Sequence, residues 1–218
     1  MRRLIVLVSL VLACASVLHA QQPDAAQIKQ ERARAELELP YLVDVLGLKP
    51  GMTVADIGSG GGAVTVVLGH WIGSGKVMAT DITERALRLT REYAAKEGLK
   101  NVTVIEGGAA ATNLPANCCD AMFMRDVYHH ITQVDAFTKS LFATLKPGGR
   151  LAILDFVPGP GSKLPAGVPE NRGGHGIPIA VVENELKAAG FKHLRSVERW
   201  PNGDVKQDLF LVLFEKPQ

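Results

Sequence analysis

Cysteine is scarce in these 218 residues: only three are present, and one, Cys14, lies inside the apolar N-terminal run. The other two, Cys118 and Cys119, are adjacent, and neighbours in sequence make a strained bridge at best. A disulfide scaffold is therefore excluded. Charge of either sign is also missing in excess. Setting aside Arg2 and Arg3 with the leader leaves 22 basic residues against 22 acidic ones. A nucleic-acid binder shows a basic surplus, so that class of partner is not expected. Beyond the first residues no apolar run is long enough to span a bilayer, and no internal repeat or low-complexity tract occurs.

The one long apolar run, Leu4 to Leu18, follows Arg2 and Arg3 and leads through "LHA" into the polar "QQPDAAQ". A basic start, an apolar middle and a small exit residue describe an export signal over residues 1–20, cleaved after Ala20. Lipid anchoring through Cys14 is the alternative, because "VLAC" loosely resembles a lipoprotein processing site. The expected location is outside the cytoplasm, periplasmic or secreted. Residues 21–48 read as a helical segment packed on the domain, broken in two at Pro40, and "LKPG" closes it.

Residues 49–218 alternate short apolar stretches with amphipathic ones. "TVADI", "KVMATD", "VTVIEG", "DAMFMRD" and "RLAILDF" read as strands, separated by "GAVTVVLGHWIG", "TERALRLTREYAAKEGL" and "VDAFTKSLFATLKPGG" as helices. Nearly continuous apolar strands joined by helices predict a parallel sheet covered on both faces, an α/β three-layer sandwich. The end differs: after "IPIAVVENELKAAGF", the strands "HLRSVERW" and "QDLFLVLFEK" flank Asn202-Gly203. That hairpin signal predicts an antiparallel last strand.

"TVADIGSGGGAVTVVL" holds the first chemical clue. A strand, then Gly58, Ser59, Gly60, Gly61 and Gly62, then a helix brings free amides and a bare backbone together at a helix start. By spacing alone, this turn fits a dinucleotide fingerprint, a second cofactor fits it as well, and a plain tight turn is the third reading. Asp56, two residues before the turn, is costly to bury without a partner. A ligand ammonium would supply one, whereas a pyrophosphate would be repelled. Asp81 ends the second strand, where it either holds ribose hydroxyls or starts the helix at Thr83.

Those stretches, with "LPANCCDAMFMRDVYHHI" and "LKPGGRLAILDF" in the same order, resemble class I, Rossmann-like S-adenosylmethionine-dependent methyltransferases from about Tyr41 to Lys216. The resemblance implies a seven-stranded, mostly parallel sheet with S-adenosylmethionine as cofactor. It places Gly58, Gly60 and Gly62 against the methionine and ribose, Asp56 near the methionine amino group and Asp81 on the ribose. Ile82 would flank the adenine, and Arg125 and Asp126 would line the methionine side. One element departs: "GGAAATNLP" has alanines where such enzymes carry an acid for the adenine amino group, leaving backbone carbonyls, Thr112 or Asn113 to substitute.

The implied activity is methyl transfer to a small-molecule acceptor. An NAD(P)-dependent Rossmann oxidoreductase and a non-catalytic binding module are the alternatives. Candidate catalytic residues are Tyr128, His129 and His130, just past the fourth strand where ligands sit in open α/β sheets. A histidine there can take a proton near neutrality, and Tyr128 can face a sulfonium through its ring. The alternative role for either histidine is to cap the following helix. No ligand spacing unites His129, His130 and His175 as a metal site, and none is expected. The proline- and glycine-rich segment Val157 to Pro178 is expected to cover the acceptor pocket, with Arg172 and His175 as its polar contacts. The acceptor atom and the oligomeric state are not encoded in any of these motifs.

Overall fold

The computed structural model describes residues 25–201 and 208–218. The leader, Cys14 and the turn pair Asn202-Gly203 lie outside the described residues. The elements are α1 (Ala25–Leu46), β1 (Thr53–Ile57), α2 (Ala63–Trp71), β2 (Lys76–Asp81), α3 (Glu84–Lys96), β3 (Val102–Glu106), β4 (Cys119–Arg125), α4 (Val134–Thr144), β5 (Leu145–Asp155), α5 (Ile179–Ala188), β6 (Lys192–Val197) and β7 (Phe210–Glu215).

The seven strands form one sheet in the order β3-β2-β1-β4-β5-β7-β6. The first five are parallel, and β7 runs antiparallel to both β5 and β6. The central strands β1, β4, β5 and β7 are buried on both sides, so their alternate residues feed two cores. Val54, Phe123 and Leu154 pack under α1 and α2, while Ile57, Met124 and Ile153 pack under α4 and α5. Helix α3 leans on α2, β2 and β3. Strand order reverses between β1 and β4. Open α/β sheets bind ligands at such a switch point, beyond the carboxyl ends of the strands.

Two expectations are corrected. Helix α1 is continuous through Pro40. Pro40 is exposed, and so is Glu36, whose carbonyl loses its partner and can turn to water. The buried residues Ala35, Glu38, Leu42, Val45 and Leu46 form a single stripe along the helix, so packing holds it together. The fourth helix stops at Thr144, and "LKPGG" belongs to the extended β5 instead. Pro147 disfavours helical backbone at Lys146, and Leu145 is already extended at ψ 139°.

Candidate active site

The glycine turn is held by the neighbouring strand. Gly58 and Ser59 amides both donate to the Thr80 carbonyl, at 2.7 and 2.9 Å. Three glycines adopt left-handed backbone, for different reasons. A Cβ on Gly58 would stand 2.5 Å from a Val127 methyl, and one on Gly62 would stand 2.9 Å from the Thr90 backbone. Gly62 therefore serves the contact between α2 and α3 and does not border the cavities. Gly60, with φ +53°, has nothing within 4 Å of its Cβ direction and faces open space.

Two adjoining cavities lie at this edge, sharing Gly58, Asp81 and Val127. One, of about 290 Å³, is apolar: Ile57, Ile82, Ile131 and Phe137 surround it, with Ala109 and Ala111 from the segment after β3. Ile82 is 65% exposed, an apolar side chain left over the opening. The other, of about 350 Å³, is charged, with Glu31, Glu38, Asp56, Asp81 and Asp126 facing Arg34 and Arg125. A flat base suits the first compartment. A zwitterionic amino acid suits the second, whose excess of carboxyls is hostile to pyrophosphate.

Asp56 is 3% exposed, and the Thr65 hydroxyl donates to its carboxyl at 2.6 Å. Burial pushes its pKa up to about 7, helped by the nearby Asp81 and opposed by Thr65 and Arg125. Asp81 organises the turn: one oxygen accepts from the Gly60 amide at 3.1 Å, the other from the Thr83 amide and hydroxyl at 3.0 Å. It thus both holds Thr83, the residue that caps α3, and borders the two cavities. Thr112 and Asn113 are already engaged. The Thr112 hydroxyl pairs with Thr144 at 2.8 Å, and the Asn113 amide donates to the Glu106 carbonyl at 3.0 Å. Residues 107–111 therefore offer this cavity only backbone polar groups and alanine methyls.

Sequence reasoning missed Glu38. It grips Arg125 through two hydrogen bonds of 2.7 and 2.8 Å and fixes that guanidinium in the charged cavity. A signal did exist, since Glu38 is an acid set within the apolar stripe of α1.

The chain after β4 sorts the candidates into two directions. Asp126 holds a left-handed backbone (φ 60°) and borders the charged cavity. Burial raises its pKa, and so does Asp155. His130 borders the apolar cavity; burial lowers its pKa, as do His129 and His175. Tyr128 and Arg172 point elsewhere, contrary to expectation. The Tyr128 hydroxyl donates to Glu185 of α5 at 2.9 Å, and its ring carries the Arg172 guanidinium at 5.7 Å rather than a ligand cation. Arg172 is fully buried, also paired with Glu185, and ties the Val157–Pro178 loop down to α5. Burial raises the Tyr128 pKa well above its ordinary value, with Glu185 adding to it. Tyr128→Phe is expected to cost about 1–2 kcal/mol of stability in urea unfolding, because it strips Glu185 of a donor. Cofactor affinity should stay unchanged; a large fall in affinity would return Tyr128 to the site.

Of the histidines, His129 is buried and outside both cavities. Its Nδ1 lies 2.8 Å from Asp155 Oδ1, and its amide donates to Asp155 Oδ2 at 3.0 Å. The exposed His175 comes back over it, Nε2 to Nε2 at 3.2 Å. The structure therefore brings together three histidines that their spacing in sequence left unconnected.

The profile of the methyltransferase domain family matches residues 48–215. A SAM-dependent methyltransferase from Aquifex aeolicus is 30% identical, aligns over 89% of this chain and all of its own, and superposes with a TM-score of 0.68. This chain belongs to the S-adenosylmethionine-dependent methyltransferase family. S-adenosylmethionine is its cofactor, and the two-part groove fits it. The match to a ubiquinone/menaquinone biosynthesis C-methyltransferase from Shewanella baltica is 33% identical over 118 residues, 53% of this chain and 47% of that protein. The chain thus aligns with about half the length of the curated relatives it matches. A phosphoethanolamine N-methyltransferase from Haemonchus contortus, solved with S-adenosylmethionine, shares the fold at 20% identity and a TM-score of 0.66, over 84% of this chain and 53% of its own.

Proposed function

We propose that this protein is a methyltransferase that moves the methyl group of S-adenosylmethionine to a small-molecule acceptor. The observation that carries the reading is the groove itself, an apolar compartment joined at Gly58 to a carboxyl-rich one. Bound there, the cofactor supplies a methyl group already activated by its sulfonium. The residues hold and orient: Asp56 takes the ammonium, Asp81 the ribose, Ile82 and Phe137 the base, and Arg125, steadied by Glu38, the carboxylate. Much of the rate then comes from alignment, which needs no protein nucleophile. The quinone-directed names of the curated relatives support an organic acceptor of modest size. Incubation with methyl-labelled cofactor and an envelope extract tests this directly. Label should appear in a small extractable product. Cofactor binding with no transfer to any acceptor would favour the non-catalytic module.

Asp56 gives the reading a pH signature. In the free protein its carboxyl is pushed up to about 7, so below that pH it is mostly protonated. A ligand ammonium prefers the carboxylate, and binding must expel the proton. Affinity for S-adenosylhomocysteine should rise about tenfold per pH unit up to about pH 7 and level off above it. Asp56→Asn should flatten that profile in calorimetry, and a flat wild-type profile would contradict the assignment. Stability of the unliganded protein moves the other way. An acid raised from 3.8 favours folding most below 3.8, and this contribution is lost as pH climbs through about 7.

We further propose that residues 1–20 direct export and that residues 21–48 belong to the catalytic unit, because α1 carries Glu38 into the groove. The support for export is the basic, apolar and small-residue pattern of the leader. Fractionation of the native host with N-terminal sequencing should find a chain beginning at Gln21 outside the cytoplasm. An intact cytoplasmic Met1 chain would refute it.

A further inference from the structure

Beyond the cofactor groove, the carboxyl ends of β4 and β5 and the loop before α5 converge on three imidazoles. His129 Nε2 and His175 Nε2 are 3.2 Å apart. Two nitrogens on a tetrahedral ion, each about 2.0–2.1 Å from it, are separated by roughly 3.3 Å. One donor nitrogen from each of His129, His130 and His175 lies within 4.8 Å of the others. His130 and His175 are both exposed, so a modest turn of either ring closes the remaining gap.

The surroundings are built for a cation. Asp155 is fully buried and accepts only from N–H groups: the His129 amide at 3.0 Å, the His129 ring at 2.8 Å and the Phe156 amide at 2.9 Å. A carboxylate can only accept, so the His129 ring proton sits on Nδ1 and the Nε2 lone pair points at His175. This is the carboxylate–histidine arrangement that orients metal ligands. Asp126 adds a second acid, its carboxyl within 4.8 Å of donor atoms of both His129 and Asp155. Two carboxyl groups thus stand against the imidazoles in a partly buried setting, which suits a cation.

We propose that His129, His130 and His175 bind a divalent transition-metal ion of the zinc class, with Asp155 orienting His129 and Asp126 balancing the charge. Imidazole donors favour Zn²⁺, Co²⁺ or Ni²⁺ over Mg²⁺ and Ca²⁺. Three protein ligands leave a position open. His130 belongs to the cluster and to the apolar cavity alike, so the ion would border the groove. A hydroxyl bound at the open position gives up its proton to solvent more readily, which selects acceptors carrying an oxygen. That selectivity rests on the methyl-transfer reading; metal binding does not.

The test uses the full-length protein, stripped with a chelator and titrated with Zn²⁺ alone against a chromophoric competitor, then with Co²⁺. One equivalent should bind, and Co²⁺ should show the visible bands of a four-coordinate site. His175→Ala and His130→Ala should each weaken Zn²⁺ binding at least tenfold, and Asp155→Asn by about 10–100-fold. His193→Ala, far along the chain on β6, should change nothing. His175 is exposed, so its variant should fold, and thermal stabilisation by S-adenosylhomocysteine reports this independently. Less than one equivalent in the wild type, or Zn²⁺ affinity unaltered in both His175→Ala and His130→Ala, would overturn the proposal. If S-adenosylhomocysteine stabilised no form while zinc still bound at the histidines, the methyltransferase reading would fail and the metal site would stand.

Discussion

Gly60→Val is expected to lower affinity for S-adenosylhomocysteine at least a hundredfold, equivalent to about 3 kcal/mol. Two effects act together. The backbone at Gly60 is left-handed (φ +53°), which a β-branched residue adopts only under strain. Its Cβ direction meets nothing within 4 Å, so the valine methyls would extend into space bordering the charged cavity. Relaxing the strain would also pull the Gly60 amide from Asp81, loosening the group assigned to the ribose. Gly60→Ala should fall between wild type and Gly60→Val, since it keeps the strain but adds little bulk. Calorimetric titration of the three forms gives the order. Equal affinity in Gly60→Val and wild type would show that ligand does not approach this turn.

Glu38→Ala should cost about 3 kcal/mol of stability, the lower end for breaking a buried ion pair. The Glu38 side chain is 5% exposed and Arg125 19%, so removing the carboxylate takes the counter-charge from a largely buried guanidinium. For a chain of this size the melting temperature should fall by roughly 6–12 °C. Cofactor affinity should drop with it, because Arg125 loses the two contacts that fix its direction. Glu36→Ala is the matched control two residues away. Its partner Arg32 is an exposed i,i+4 neighbour at 2.8 Å, a pair worth a few tenths of a kcal/mol. Comparable losses from both variants would mean that Glu38 is an ordinary surface acid.

The sheet and the glycine turn could be read directly because both are written in local pattern. Strands buried on both faces leave unbroken apolar runs, and a backbone that must stay bare leaves glycines. The antiparallel end was visible as two strand-like stretches, the second strongly apolar, after the last helix. What stayed hidden depends on contacts between distant parts of the chain. Glu38 and Arg125 are 87 positions apart, and His129 and His175 are 46 apart. Tyr128 and His130 differ by only two residues, yet a tight turn sends one to Glu185 and the other to the cavity. Arg172 looked like a polar contact for an acceptor because its long loop is placed to cover the acceptor pocket. Here Glu185 and the Tyr128 ring bury it. Pro40 looked like a break because local sterics cannot reveal that the other face of α1 is packed.

The most direct measurement is calorimetric titration of the purified protein with S-adenosylhomocysteine and, separately, with NAD. One S-adenosylhomocysteine per chain should bind with a dissociation constant on the order of micromolar, and millimolar NAD should give no heat. Saturable NAD binding with none for S-adenosylhomocysteine would contradict the account, because the carboxyls of Asp56, Asp81 and Asp126 would then be tolerating a pyrophosphate.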